Sequence, residues 1–463
     1  MYQLKTYQKK VLVDTLTPVS IYQKIRDNFS NSILLESSDY GANDNSYAYI
    51  CFNPVSHISI KNLNIEIEYP DKSESFEIKK GREVIDQINR FCKSFKCTID
   101  NKKFINNGVF GYTNYDSVKY FEDIEIDSNN DSIDIPDIYY AFYSNIIVIN
   151  VFNNEAIIYN HSFKKPSNIN QISDLIFNEK VPNYPFKKCG KIKTNMKDKD
   201  YLNLVKKGIK HCYRGDVFQI VLSRRFEQNF IGDEFKLYRA LRSINPSPYL
   251  FYFDYGNYKI FGSSPEAQII VKDKKAEIHP IAGTFKRTGN DSKDSIKAQK
   301  LSEDDKENSE HMMLVDLARN DLSRNGTNVV VEKNREIQFF SHVIHLVSKV
   351  TGKINKNSKT FQVVADTFPA GTLSGAPKHK ALELIDLYEK TARNFYGGAV
   401  GYMDFYGNFN HAIIIRSFLS KDKNLYYQAG AGIVSDSIPE KELQEVYNKL
   451  GALNKALIFA EKL

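Results

Sequence analysis

The stretch SEDDKENSEHMMLVDLARND (302–321) holds two glutamates, Glu307 and Glu310, three residues apart and directly before an apolar run. On a 3.6-residue repeat they share one helix face with Leu314, which belongs in a core. Carboxylates turned toward a core need a nearby cation, or they take up a proton. Two interpretations stay open from this stretch alone: an ordinary helix start favoured by the macrodipole, and carboxylates held for a cation.

A second stretch, DSIPEKELQEVYNKL (436–450), repeats the spacing with Glu442 and Glu445. One interpretation is a solvated helix face on which Glu445 pairs with Lys449 four residues later. The other brings both Glu-x-x-Glu pairs around one hard divalent cation. Mg²⁺ prefers oxygen ligands, often takes one or two carboxylates, and binds anionic substrates. The repeated pattern therefore favours a Mg²⁺ site between two helices.

Both of these helices are expected to begin with a capping box. In the first, Ser302 precedes Asp305 by three residues, and in the second, Ser437 precedes Glu440 by three. The apolar spacing predicts that the first helix ends near Ala318.

Composition excludes several classes of protein. The chain has 463 residues and a net charge of +7, but its 63 basic and 56 acidic residues are interspersed, which argues against nucleic-acid binding. No apolar stretch is long enough to span a bilayer, and the N-terminus lacks the apolar core of a signal peptide. The five cysteines form no CxxC pair, so reduced thiols are expected. These features predict a cytoplasmic protein that does not enter membranes.

The hydrophobic pattern predicts an α+β fold. Period-two runs such as HISIKNLNIEIEY (57–69) indicate strands, and the stretch 164–193 is expected to be a loop and linker. Beyond it, helical spacing at 198–215 alternates with strands and with hairpins at 248–264 and 267–283. Several antiparallel strands with interspersed helices predict an antiparallel β-sandwich with helices packed outside.

Three features of the second half are typical of anion binding. Thr372 lies in a Gly-rich turn before a helix, where backbone N–H groups and its hydroxyl could hold a carboxylate or phosphate. The small residues Gly430–Gly432 are interpreted as a loop that lets an anion approach the backbone. Arg416 lies in an apolar strand and needs an anionic partner, which is either a ligand or a structural ion pair.

Two further titratable residues, Glu266 and His345, lie beside strands. Glu266 follows a proline at a strand end and could act as a general acid if burial raises its pKa. The alternative is an exposed surface carboxylate. His345 lies among alternating apolar residues, where a satisfied core histidine is the more common case.

Ten motifs, in this order, resemble the chorismate-utilising enzymes, and most of all their anthranilate synthase large-subunit branch. They are DVFQIVLSRRF (216–226), NPSPYLFYF (245–253), GSSPE (262–266), PIAGT (280–284), EHMMLVDLARNDLSR (310–324), HVIHLVSKVTG (342–352), FPAGTLSGAPK (368–378), YGGAVGYMDF (396–405), AIIIRSF (412–418) and QAGAGIVSDSIPEKE (428–442). The N-terminal part matches loosely, chiefly through SILLESSD (32–39). The resemblance implies the fold of that family, with an N-terminal regulatory part at 1–185, interleaved with a chorismate-binding catalytic domain at 190–463.

The resemblance also implies a substrate, a cofactor and a set of site residues. Chorismate would be the substrate and Mg²⁺ the cofactor, with Glu310 and Glu445 as ligands and Glu307 and Glu442 as supporting carboxylates. The family's substrate-holding positions match Gly283, Thr284, Tyr396, Arg416, Gly430, Ala431 and Gly432. Its positions linked to catalysis match Glu266, which would protonate the departing ring hydroxyl, His345, linked to the loss of pyruvate, Thr372 and Gln219.

Two positions favour ammonia as the nucleophile and anthranilate as the product. Relatives that add water have a lysine in place of Gln219, and aminodeoxychorismate synthases often have a lysine in place of Ala282. One departure is Phe285, where the family often has arginine. Aminodeoxychorismate synthase component I and a catalytically silent tryptophan-binding regulatory protein remain the alternatives.

The resemblance implies one partner and one inhibitor. The chain has no amidotransferase motif, so ammonia would come from a glutamine amidotransferase subunit or from free ammonium. Tryptophan would be a feedback inhibitor, bound by residues that match the family's effector site: Ser37, Pro248, Tyr249 and Leu250.

Overall fold

The computed structural model describes residues 1–37, 46–101, 103–126, 133–164, 166–339, 343–355 and 358–463, without the side chains of Thr284, Lys286 and Lys306. Its strands are β1 (Tyr2–Leu12), β2 (Ile33–Glu36), β3 (Tyr47–Lys61), β4 (Asn64–Glu68), β5 (Ser73–Glu77), β6 (Phe95–Cys97), β7 (Val109–Thr113), β8 (Ile138–Asn150), β9 (Glu155–Ser162), β10 (Phe186–Thr194), β11 (Gln219–Gly232), β12 (Tyr249–Asp254), β13 (Tyr258–Ser264), β14 (Ala267–Lys272), β15 (Lys275–Ile278), β16 (Ile281–Lys286), β17 (Gly326–Phe339), β18 (Val343–Ile354), β19 (Gly375–Ala376), β20 (Ala399–Met403), β21 (Phe409–Ile413), β22 (Ser417–Lys421) and β23 (Asn424–Ile433).

The helices alternate with these strands along the chain. They are α1 (Pro18–Arg26), α2 (Glu83–Lys93), α3 (Ile169–Asn178), α4 (Asp198–Tyr213), α5 (Phe235–Ile244), α6 (Asp291–Glu303), α7 (Asp305–Ser323), α8 (Thr360–Thr367), α9 (Lys378–Tyr388) and α10 (Pro439–Ala460). In the part of the chain that the structure describes, two short 3₁₀ helices lie at Tyr115–Tyr120 and Gly371–Leu373.

Antiparallel pairing joins strands from both ends of the chain into one sheet. Its order is β10–β11–β23–β22–β13–β12–β2–β3–β8, continuing through β7–β20–β21–β14–β15–β18. Both β16 and β17 pair with β18, and β9 continues from β8 to β1. Within the described ranges only the β1–β6 pair is parallel.

The sheet folds over on itself and encloses an aromatic interior. Tyr112 on β7 and Tyr258 on β13 are not sheet neighbours, yet their hydroxyls lie 2.9 Å apart. The interior cluster consists mainly of strand residues, including Phe110, Tyr143, Phe251, Phe253, Ile260 and Val400. Large aromatic side chains fill this layer and contribute much of its buried apolar area.

The helices cover the outer faces of the sandwich. Helix α10 buries Val446, Leu450, Leu453, Leu457 and Ala460, spaced three and four residues apart along one stripe. This stripe packs with α4 and α5 against β11 and β23, while α2, α7 and α8 cover the opposite face. The prediction of an α+β antiparallel sandwich with helices outside is confirmed.

Several local predictions agree with the structure, while the predicted linker does not. The helix at 198–215 and the hairpins β12–β13 and β14–β15 form as expected. The stretch expected to be a linker instead contains α3 and all of β10 except its last residue. The division at residue 185 stays a prediction, and strands from both sides of it share the sheet.

The helix starts differ from the predicted capping boxes. Asp304, not Ser302, caps α7, accepting a hydrogen bond from the Glu307 N–H at 3.0 Å. Ser302 lies in the last turn of α6, and α7 continues beyond Ala318 to Ser323 because apolar residues keep packing along it. The cap of α10 is Ile438, without a side-chain bond.

Candidate functional site

A cleft forms where the 3₁₀ turn Gly371–Leu373 meets α7 and β23. Gly371 packs against α7 so closely that a Cβ there would lie 2.1 Å from Leu317 Cδ2. Only glycine lets the turn approach the helix to this distance. The turn therefore presents Thr372 beside the carboxylate-bearing helix.

Glu266 and Thr372 form a hydrogen-bonded pair in this cleft. The Thr372 hydroxyl donates to Glu266 Oε1 at 2.9 Å, although the residues are 106 positions apart. Burial raises the pKa of the Glu266 carboxyl to about 7, while the Thr372 bond and the charge of Lys449 oppose the shift. A carboxyl with this pKa is partly protonated near neutral pH and suits a general acid.

Arg416 is a cation in the cleft whose guanidinium has no hydrogen-bond or ion-pair partner in the described part of the chain. It lies in the connection between β21 and β22 with φ of +51°, not within a strand as the sequence predicts. Burial lowers the pKa of this guanidinium, while Glu445 and Tyr396 oppose the shift. A left-handed backbone at a non-glycine residue is strained, and such strain is common at ligand sites. The arrangement suits an incoming anion.

Lys449 is a site residue that the sequence analysis interpreted only as one half of a solvated pair. Its Nζ lies 3.8 Å from Glu445 Oε1, but it also donates to the Gly430 carbonyl at 2.9 Å. Burial lowers the pKa of Lys449, while Glu445 opposes the shift and Arg416 adds to it. The Glu445–Lys449 spacing was visible in the sequence, but not the reach of the lysine into the cleft.

The small residues 430–432 form part of strand β23, not the loop that the sequence predicts. Ala431 is fully buried in the core beneath the helices. Because side chains alternate across a strand, Gly430 and Gly432 face the other side. A Cβ on Gly432 would lie 2.3 Å from Gln219 Nε2, so the glycine makes room for that amide. Gln219 Oε1 is buried and has no hydrogen-bond partner in the described ranges.

His345 and Gly283 meet across the β16–β18 pair. His345 Nδ1 lies 3.0 Å from the Gly283 carbonyl, which requires that this nitrogen carry the proton. Burial lowers the pKa of His345; the carbonyl bond opposes the shift, and the charge of Arg416 adds to it. Gly283 has φ of +68°, and a Cβ there would lie 3.1 Å from Glu307 Oε2. The side chain of Thr284 lies outside the described residues.

Four glutamates of α7 and α10 are half-buried, namely Glu307, Glu310, Glu442 and Glu445, whereas Glu440 of α10 is exposed. Glu307 lies against Gly283, and Glu445 lies near Lys449 and Arg416. In the described ranges no three Asp, Glu, His or Cys side chains come close enough to form a complete metal site. A donor set of one or two carboxylates still fits Mg²⁺, because this ion keeps several waters and takes its remaining ligands from substrate.

Tyr396 is buried beside this site. Its ring lies near the guanidinium of Arg393, a cation that the sequence did not indicate as part of the site. The guanidinium of Arg393 lies 5.9 Å from the Tyr396 ring and 4.5 Å from that of Tyr115. Burial raises the pKa of Tyr396 to about 12, which keeps its phenol protonated. Arg393 forms a buried ion pair with Glu389, with Nη2 at 2.6 Å from Oε1. The i,i+4 spacing of these two residues was the only indication of the pair in the sequence.

The four residues that the resemblance matches to tryptophan binding lie at one end of the β2–β12 pair. In the antiparallel register Leu250 is opposite Glu36, so the next step brings Ser37 toward Tyr249. Ser37, Pro248 and Tyr249 are half-buried, whereas Leu250 is buried. Below them, Arg242 holds the buried Glu36 carboxylate at 2.8 Å.

Sequence comparisons agree with this geometry. The family model for chorismate binding enzymes matches residues 32–455. Anthranilate synthase component 1 of Aquifex aeolicus is 36% identical, with 100% of this chain and 96% of the relative covered. The protein of the same name from Bacillus subtilis is 34% identical, with 97% and 91% covered.

Solved structures show the same fold. Anthranilate synthase component I from Streptococcus pneumoniae superposes with a TM-score of 0.76 at 30% identity, covering 88% of this chain and 92% of that one. The menaquinone-specific isochorismate synthase from Escherichia coli gives 0.75 at 18% identity, covering 98% and 95%, and is similar in fold. No helix in the described ranges has the length and apolarity needed to cross a membrane. The chain therefore belongs to the chorismate-binding enzyme family, in which its relatives are anthranilate synthase component 1 proteins.

Proposed function

We propose that this protein is the synthase subunit of anthranilate synthase, which converts chorismate and ammonia into anthranilate and pyruvate with Mg²⁺. The observation that carries the proposal is the buried Arg416 guanidinium, which makes no hydrogen bond or ion pair in the described part of the chain, although Glu445 lies near it. Chorismate is a dianion, and one of its carboxylates would supply a direct ion-pair partner. The names of the relatives support the choice of reaction.

Arg416 and Lys449 would hold the substrate by charge. Arg416 faces the enolpyruvyl carboxylate as a planar donor able to bind it through two hydrogen bonds. The Tyr396 phenol beside it remains a donor, and the nearby Arg393 keeps its ring in place. Gly432 leaves space for the Gln219 amide beside the cleft.

The Mg²⁺ ion would be held by Glu310 and Glu445, with Glu307 and Glu442 as supporting carboxylates. When bound, it neutralises the ring carboxylate and increases the electron withdrawal felt by the ring. These carboxylates also lie near the cations Arg416 and Lys449, which limits the accumulation of like charge in the cleft.

Glu266 would act as the general acid. Ammonia forms a bond to C2 as the C4–oxygen bond breaks, and the departing oxygen takes the Glu266 proton and leaves as water. The Gln219 amide oxygen, which has no partner in the described ranges, would accept an N–H from ammonia. His345 then has its place in the second step, the elimination of pyruvate that yields the aromatic amine.

Two further parts of the proposal concern the source of ammonia and the inhibition of the enzyme by tryptophan. Ammonia would be delivered by a glutamine amidotransferase subunit that binds this chain. Tryptophan would bind at Ser37, Pro248, Tyr249 and Leu250. These residues lie at the end of the β2–β12 pair, and β12 also pairs with β13, whose end leads to Glu266; this pairing supplies a physical connection between the two sites.

Product identification is the first test of the proposal. Purified protein with chorismate, ammonium and Mg²⁺ is expected to release anthranilate, measured by its fluorescence and by mass spectrometry. Release of 4-amino-4-deoxychorismate would instead assign the protein to the folate branch. No turnover of chorismate would favour a regulatory protein without catalysis.

The metal role is tested by Glu445→Gln. The substitution keeps the side-chain volume but removes a charged ligand, so we expect a rate loss of about 100-fold or more and a weaker Mg²⁺ effect on the melting temperature. Glu440→Gln, at an exposed position of the same helix, is the matched control and is expected to behave like the wild type. Equal Mg²⁺ responses of the two variants would contradict the assignment.

The pH dependence tests Glu266. A general acid must be protonated, so kcat/KM is expected to fall as pH rises through about 7, the raised pKa of this carboxyl. Thr372→Val removes a hydrogen bond that favours the charged carboxylate. The fall in kcat/KM, which is the alkaline limb of the pH profile, should therefore move to higher pH. Glu266→Gln should remove the limb and lower kcat by roughly 10²–10⁴-fold. An unmoved limb in Thr372→Val would speak against the pairing.

Inhibition by tryptophan tests the effector site. Tryptophan is expected to inhibit the wild type, and Ser37→Ala should raise the half-inhibitory concentration about tenfold, because one hydrogen bond is worth about 1 kcal/mol or more. Ser243→Ala, exposed at the end of α5, is the control. Equal inhibition of both variants would remove Ser37 from the site.

A further inference from the structure

A small cavity adjoins Glu266 on the side of helix α7. Its volume is about 30 Å³, which is room for roughly one or two water molecules. Leu314, Leu317 and Ala318 of α7 form one wall, and Ile278 and Pro280 form another. Most of the lining is therefore apolar, and the few polar groups define where a water molecule can bind.

Gln268 is the polar group in this lining whose bonding is incomplete. It is only 3% exposed, and its Nε2 donates to Thr367 Oγ1 at 2.9 Å. Its Oε1 is buried and has no hydrogen-bond partner in the described ranges. The Thr367 hydroxyl donates to the Val364 carbonyl, so it cannot serve this oxygen. A buried amide oxygen of this kind normally receives a hydrogen bond from water.

The same cavity is bordered by Glu266 and Thr372. The Thr372 hydroxyl donates its only proton to Glu266, so toward the cavity its oxygen can act only as an acceptor. Asp321, which accepts from Lys378 at 2.7 Å, also lines the cavity. A water molecule here would have at least two polar partners, Gln268 and the Glu266–Thr372 pair, which is what a buried water requires.

We infer that this cavity holds water that returns a proton to Glu266 in each turnover, and that Gln268 is the positioning residue that orders this water. The inference rests on the proposed function of the cleft. When the C4–oxygen bond breaks, the oxygen takes the bonding electrons and the Glu266 proton and leaves as water. Glu266 remains as a carboxylate and takes a proton from the cavity water, which takes up a proton from solvent in the same relay, so that neutral water remains in the cavity.

The proton balance closes without another reagent. Ammonia forms the new C2–nitrogen bond and releases one proton to solvent as the amine becomes neutral. That release matches the proton that solvent supplies to Glu266 through the cavity. The substrate covers the open side of Glu266 during the reaction, so the cavity lies on the side still able to exchange protons.

Gln268→Leu tests the inference, because it keeps a side chain of similar size but removes the amide oxygen. We expect kcat to fall roughly tenfold with little change in the KM for chorismate, since proton return becomes slow while substrate contacts remain. The solvent deuterium isotope effect on kcat should increase relative to the wild type. Gln171→Leu, at an exposed position of α3, is the matched control and should retain wild-type values.

A purely structural role for Gln268 would lower stability without raising the isotope effect, and that result would overturn the inference. A high-resolution crystal structure of the wild type supplies a test that needs no variant: ordered water is expected within hydrogen-bond distance of Gln268 Oε1. An empty cavity would refute the proposal even if Gln268→Leu fails to fold. Absence of any turnover of chorismate by the wild type would instead overturn the proposed function, and this inference with it.

Discussion

The buried ion pair between Arg393 and Glu389 ties together the segments that line the cleft. Arg393 donates to the Leu373 carbonyl at 2.5 Å and to the Val221 carbonyl at 2.7 Å, while Glu389 accepts from the backbone and hydroxyl of Ser223. Removing one partner would leave the other charge buried, at a cost of about 3–5 kcal/mol. The pair therefore holds the 3₁₀ turn and strand β11 in one fixed relation, and the positions of the neighbouring site residues follow from it.

The cleft that these segments line contains several charged side chains with shifted pKa values. Two cations, Arg416 and Lys449, lie near Glu445, and burial shifts the pKa of both downward. Glu266 lies nearby with its pKa raised to about 7. Groups whose pKa values are displaced together in one cleft are typical of functional sites, because catalysis needs charges that water would otherwise neutralise. This concentration of charge is the basis of the proposed binding of a dianion.

Much of the fold was predictable because it follows from local pattern. The apolar runs of β12 and β13 with a turn between them, and the helical spacing of 198–215, each specify an element without reference to the rest of the chain. Capping was less predictable: Asp304 took the place of Ser302 because the two helices α6 and α7 meet there, with Ser302 already within the first. A cap depends on where the preceding element ends, which single-residue spacing does not encode.

The sequence by itself determined the residue types of the site and the family to which the chain belongs, since the motifs that carry Glu266, Arg416 and Glu445 are local strings. Only the tertiary structure decided which of these side chains meet. Thr372 donates to Glu266 although the two are 106 residues apart, and Lys449, which the spacing alone would pair with Glu445 in solvent, donates to the Gly430 carbonyl. The physical reason is that hydrogen bonds and burial act over a few ångströms in space, and a sheet brings distant segments within that range irrespective of their separation along the chain.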